Sequence, residues 1–135
     1  MRKLLYQDLN KQNADKILKI LRKLNWNDPK VESRIRKLFC KTSRFKFSSL
    51  DMAAFLTNEL YRYYSEFGIY VVDYLLENIR LGLETNKFVQ NQQRISEMKF
   101  LGELYNFKLI DHMVVFDTLY FILTFGHGTL TFLTK

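Results

Sequence analysis

Apolar residues recur at spacings of three and four along most of the chain, the period of amphipathic α-helices. Arg2 to Leu9 reads as a short helix with Leu4, Leu5 and Leu9 on its apolar face. Asn13 stands as N-cap of a second helix reaching Leu24, in which Ile17, Ile20, Leu21 and Leu24 share a face. Asn25-Trp26-Asn27 interrupts it. Asp28 before Pro29 combines a capping side chain with proline at the first helical position, and opens a third helix to about Lys41. Val31, Ile35, Leu38 and Phe39 face inward there. A fourth helix follows Ser48-Ser49 with Leu50, Ala53, Ala54, Leu56, Leu60 and Tyr64 inward, and is expected to stop at Gly68 as its C′ residue. The fifth runs from about Ile69 to Glu84 on Val72, Leu75, Leu76, Ile79 and Leu83.

Thr85 to Gln93, rich in Asn and Gln, reads as a loop. A sixth helix spans Arg94 to Tyr105 with Ile95, Met98, Leu101, Leu104 and Tyr105 inward, and Asp111 caps a seventh that ends at Gly126. Helices of this length on short connections pack as antiparallel hairpins, and successive hairpins stack into a solenoid. The expected class is therefore all-α: a HEAT-like α-solenoid of about seven helices. Residues 127–135 do not fit, because Thr129 to Leu133 favour strand. They are expected to form a divergent, mobile tail after a helical domain over residues 1–126.

Composition narrows the class further. A chain of 135 residues, 47% hydrophobic with 12 Phe and 8 Tyr, can bury one substantial core. One Pro and five Gly are too few turn-makers for a many-stranded sandwich or barrel. The single cysteine, Cys40, excludes an internal disulfide and implies a reducing, intracellular setting; the expected location is cytoplasmic, with perinuclear sites included. With no Cys/His cluster, no structural metal is expected. The most apolar stretch, Met113 to Phe125, is 13 residues long and contains Asp117. No run reaches the ~18 apolar residues of a membrane span, so no membrane partner is expected.

Charge is distributed unevenly. Residues 1–47 carry 14 Lys/Arg against four acids, a net of +10, and the remainder carries seven against ten, a net of −3. The basic third, with Lys19, Arg22, Lys23, Arg34, Arg36 and Lys37 as its candidate contacts, is either a solvated helix surface or a face for an anionic partner such as RNA. Trp26 and the Tyr/Phe pairs are candidates for stacking on bases, or else for the core.

Nothing in the chain assembles a catalytic or cofactor site. His112 and His127 have no ligand partner at helical spacing, and Asp111 and His112 point to different faces. Cys40 lies among Lys37, Lys41 and Arg44, which would activate a thiol only if it were exposed. Gly126-His127-Gly128 is a helix stop, lacking the strand and following helix of a phosphate loop. No enzyme activity and no cofactor are expected.

The fifth helix holds a more specific arrangement. Taking Asp73 as zero, Glu77 falls about 40° and Glu84 about 20° away, while the apolar face centres near 260°. The three carboxylates share one exposed stripe. Arg80, at about −20°, joins it at i,i+3 from Glu77 and is expected to pair with it. Two readings stand: an ordinary solvated face, or a docking strip with net negative charge left over for a basic protein.

VVDYLLENIRLGLE (Val71 to Glu84), followed by QRISEMKFLGELYNFKLIDHMVVFDTLYFILTFG (Gln93 to Gly126), resembles the MIF4G domain family, named after the middle region of eukaryotic initiation factor 4G. Arg2 to Lys11 and Ile20 to Asp28 fit its opening helices. Within that family the chain is similar to the third such domain of the regulator-of-nonsense-transcripts-2 group of mRNA-decay factors. The resemblance implies a HEAT-like scaffold without enzymatic activity. It implies as partner the RNA-recognition-type domain of up-frameshift suppressor 3, linking the wider decay and exon junction complexes, with Asp73, Glu77 and Glu84 as the partner-binding acids. Asn78, where relatives can be acidic, departs from the pattern and would weaken that contact. The match covers only the N-terminal part of the domain, so the seventh helix is expected to expose an apolar face around Leu119, Ile122 and Phe125.

Overall fold

A computed structural model describes residues 1–85 and 91–125. A π-helical segment, Leu4–Asp8, is followed by six α-helices: α1 (Ala14–Arg22), α2 (Pro29–Cys40), α3 (Leu50–Tyr63), α4 (Ser65–Thr85), α5 (Asn91–Asn106) and α6 (His112–Phe125). Two short 3-10 turns, Thr42–Arg44 and Phe47–Ser49, join α2 to α3. Among the described residues there is no strand, and none of the helices is long and apolar enough to cross a membrane. Both ends of the stretch expected as a loop are helical, because α4 reaches Thr85 and α5 already begins at Asn91, and residues 86–90 lie outside the described residues. The tail at 127–135 and the stop at Gly126 lie outside the described residues.

Each helix packs on the next but one: α1 on α3, α2 on α4, α3 on α5 and α4 on α6. Sequential contacts α3 to α4, α4 to α5 and α5 to α6 complete the array. Two interleaved layers of this kind are the signature of a HEAT-like α-solenoid, in which no helix pair can bury its apolar face alone.

Local chemistry explains most of the boundaries. Asp28 caps α2 by accepting from the Lys30 amide at 3.0 Å, with Pro29 at the first position. Asp111 accepts from the Val114 amide at 3.1 Å and starts α6. Asn13 occupies the N-cap position of α1, but its side chain turns back, accepting from the Asn10 amide at 2.8 Å and donating to the Asp8 carbonyl.

Gly68 is not a helix stop. Only Tyr64 is non-helical between α3 and α4 (φ −132°, ψ 71°), and Gly68 lies inside the first turns of α4 with negative φ. Its role is close approach. A β-carbon there would stand 2.6 Å from Tyr61 Cδ2 and 2.9 Å from Tyr61 Cβ, so the missing side chain lets α3 press against α4 just after the joint.

Six rings tie the early part of the chain to this joint. Tyr6 meets Phe45 edge-on at 5.0 Å, Phe45 meets Phe39 at 5.9 Å, and Phe39 meets Phe67 at 5.3 Å. Phe67 then meets Trp26 at 5.4 Å, and Trp26 stacks on Tyr64 at 4.3 Å. Each pair adds about 0.5–1.5 kcal/mol beyond its buried area, so the relay holds α4 firmly against α2 and the α1–α2 turn. Trp26 is thereby a packing residue. Tyr64 occupies one of its faces and its Nε1 donates to the Leu21 carbonyl at 2.8 Å.

The α5 face differs from expectation. Phe100, Leu101 and Leu104 are buried, but Ile95 and Tyr105 are exposed, and Arg94, Ser96 and Glu97 are buried instead. Packing against α3, α4 and α6 at once turns part of its polar side inward.

Candidate functional site

Phe67, Val71, Leu75, Ile79 and Leu83, spaced by four, form the buried seam of α4. That seam fixes the opposite side of the helix outward. Asp73, Glu77 and Glu84 are all exposed on it. Beside them stand Tyr70, Tyr74 and Leu81, which are 42%, 40% and 52% exposed. The two tyrosines stack at 6.3 Å with their planes 19° apart. An acidic row bordered by exposed aromatic and aliphatic side chains has the composition of a protein-docking surface, where such residues anchor and charges select. Tyr70, Tyr74 and Leu81 went unnoticed in the sequence. Their spacing of four and seven was the available signal, about 60–100° round the helix from Asp73.

Arg80 does not pair with Glu77. Its guanidinium lies 5.3 Å from the ring centroid of Phe121 on α6, a cation–π contact, and among the described residues no ion pair reaches Asp73, Glu77 or Glu84. The packing of α6 on α4 places an aromatic face within reach of Arg80, which periodicity along one helix cannot reveal.

Behind the strip, α4 is anchored to α5. Burial pushes the Glu97 carboxyl up to about 7, against the opposing effects of a hydrogen bond from the Asn78 side chain and the nearby Arg94 guanidinium. Asn78 is thus turned toward α5 and away from the strip. An acid at 78 would face Glu97 and repel it when ionised, so the amide suits this half-buried position.

The basic residues separate into two groups. Arg22 lies over the Tyr63 ring at 4.1 Å, and Arg36 lies over Tyr70 at 4.3 Å while pairing with Glu32 at 3.4 Å. Lys19, Lys23, Arg34 and Lys37 are exposed. Of the six candidates, Arg22 and Arg36 thus make ring contacts with Tyr63 and Tyr70, and the other four are exposed.

Cys40 is buried, and burial pushes its thiol up to about 11, away from reactivity at neutral pH. His112 is exposed against Phe116. Among the described residues no group of three or more His, Cys, Asp or Glu could hold a metal.

The apolar surface of α6 is rotated from its expected position. Ile122 is buried, whereas Met113, Phe116, Tyr120 and Leu123 join Leu119 on the outside. The side chain of Phe125 lies outside the described residues.

Comparison with known proteins agrees with this architecture. The model of the MIF4G domain family matches residues 1–132. The chain is 45% identical over 129 residues to the "Regulator of nonsense transcripts UPF2" of Arabidopsis thaliana, covering 96% of this chain and 11% of that protein. It is 44% identical over 126 residues to the human "Regulator of nonsense transcripts 2", covering 93% and 10%. Against the "Nonsense-mediated mRNA decay protein 2" of Saccharomyces cerevisiae it is 35% identical over 124 residues, covering 92% and 11%. The chain spans about a tenth of the length of these relatives.

Proposed function

The chain belongs to the MIF4G domain family, and from that premise we propose that it is a protein-interaction scaffold of nonsense-mediated mRNA decay. It corresponds to the third MIF4G domain of its long relatives and works in the cytoplasm. Its partner is the basic RNA-recognition-type domain of up-frameshift suppressor 3, which it joins to the decay and exon junction complexes.

One observation carries this reading. Asp73, Glu77 and Glu84 form an exposed row, with no ion pair to any of them among the described residues, on a helix whose opposite side is locked into the core. Unneutralised carboxylates on a rigid helix suit a cationic partner, because charge complementarity speeds association and rejects acidic competitors. Tyr74 and Leu81 beside them supply area that leaves water on docking.

Amide shift mapping tests the reading. When the RNA-recognition-type domain of up-frameshift suppressor 3 is added to labelled chain, signals from Asp73, Tyr74, Glu77, Leu81 and Glu84 should move first. Shifts confined to α1 and α2 would contradict it. A second reading, RNA binding, is favoured by the exposure of Lys19, Lys23, Arg34 and Lys37. Arg22 and Arg36, the other two candidates of that reading, lie over Tyr63 and Tyr70.

A further inference from the structure

Five of the 14 Lys/Arg of residues 1–47 line one concave place. A cleft of about 520 Å³ opens between the N-terminal segment and α2. Arg34, Lys37 and Lys41 line it along one stripe of α2 and its end, Arg44 enters from the 3-10 turn, and Arg2 closes it from the opposite wall. Its floor is apolar, formed by Leu24, Val31 and Leu38 with the ring of Tyr6. The Tyr6 hydroxyl donates to the Leu38 carbonyl at 2.6 Å and pins the N-terminal segment across α2, giving the cleft a fixed width.

No carboxylate is among the described lining residues. The four acids of this third are placed elsewhere: Asp28 caps α2, Glu32 pairs with Arg36, and Asp8 and Asp15 take no part. Five cations facing one cleft repel one another, and a bound polyanion relieves that repulsion. Burial raises the Tyr6 phenol while Arg44 and Arg2, both in the cleft lining, pull it down.

We propose that this cleft binds a small molecule bearing two or more phosphates on an apolar or aromatic body, the chemistry of a nucleoside di- or triphosphate. The cations take the phosphates and the floor takes the body. The volume falls within the range of about 300–1,000 Å³ typical of small-ligand sites. Convergence of three chain segments on one floor favours a compact ligand over an RNA strand, which is tracked by a row of cations and stacking rings. Lys19 and Lys23 on the α1 side take no part in the lining.

Titration calorimetry on the 135-residue chain tests the proposal with ATP, inorganic tripolyphosphate and a twelve-residue oligouridylate as separate probes. ATP should bind more tightly than tripolyphosphate. The Arg34→Glu/Lys37→Glu variant should lose at least tenfold in ATP affinity, while Lys19→Glu changes it less than twofold. Should the double variant fail to fold, the unmodified chain gives the answer: ATP should shift the amide signals of Leu24, Val31 and Leu38. No ATP binding at millimolar concentration, or equal losses from Lys19→Glu and the double variant, would overturn the site. Tripolyphosphate binding as tightly as ATP would remove the role of the floor. Oligouridylate binding that these reversals weaken, without any ATP binding, would make the surface an RNA contact and the proposal wrong.

Discussion

Arg80 lies over the ring of Phe121, 5.3 Å from its centroid, and among the described residues Glu77 is left without an ion pair on the exposed side of α4. One contact therefore serves two ends. It helps hold α6 to α4, worth about 0.5–1 kcal/mol at an exposed site, and it keeps the local cation engaged away from the acidic row.

Replacing Arg80 separates those ends. Arg80→Gln should lower stability by about 0.5–1 kcal/mol through loss of the cation–π contact. It should also raise affinity for a basic partner domain by about two- to fivefold, through a faster association rate that depends more steeply on salt. Stopped-flow association at two ionic strengths, beside a thermal melt, checks both parts.

Two glycines should respond in opposite directions to the same change. Gly68→Ala drives a methyl group into the Tyr61 ring and β-carbon, an overpacking cost of about 1–3 kcal/mol. At Gly102, in the exposed middle of α5, an added β-carbon meets nothing within 4 Å. Gly102→Ala should therefore stabilise by about 0.5–1 kcal/mol, the ordinary gain of alanine over glycine in a helix. Chemical denaturation of both variants checks the pair.

Glu97 gives stability a pH dependence. Its carboxyl lies at about 7 in the folded chain against 4.5 in the unfolded one, so between these values the folded state holds the extra proton. Stability is then fullest below about pH 4.5 and falls as pH rises through about 7, by at most about 1.4 kcal/mol per pH unit. Glu97→Gln keeps a neutral group of the same shape and should flatten that slope, so that the variant is the more stable of the two at pH 8. Denaturant midpoints at pH 5, 6, 7 and 8 measure it.

Periodicity alone revealed the helices and the acidic row, because each depends on one segment. Leu75, Ile79 and Leu83 are buried and Asp73, Glu77 and Glu84 exposed as their angles around α4 require. What it missed depends on two segments meeting. Gly68 reads as a stop until Tyr61 is seen lying against it. Arg80 reads as a partner for Glu77 until α6 brings Phe121 within reach. Ile95 reads as inward until α5 is found wedged among α3, α4 and α6, where Arg94, Ser96 and Glu97 are buried and Ile95 is left outside. The basic cleft is the clearest case, since Arg2 is far along the chain from Arg34 and Arg44 and lines the same cleft, across which Tyr6 is tied to Leu38.

The affinity of the chain for the RNA-recognition-type domain of up-frameshift suppressor 3, measured with and without Glu77→Arg/Glu84→Arg, tests the acidic row most directly. The row predicts binding that the double reversal reduces at least a hundredfold while the thermal midpoint stays within a few degrees, because both side chains are exposed. Equal affinity for the two proteins would show that α4 is not where the partner docks.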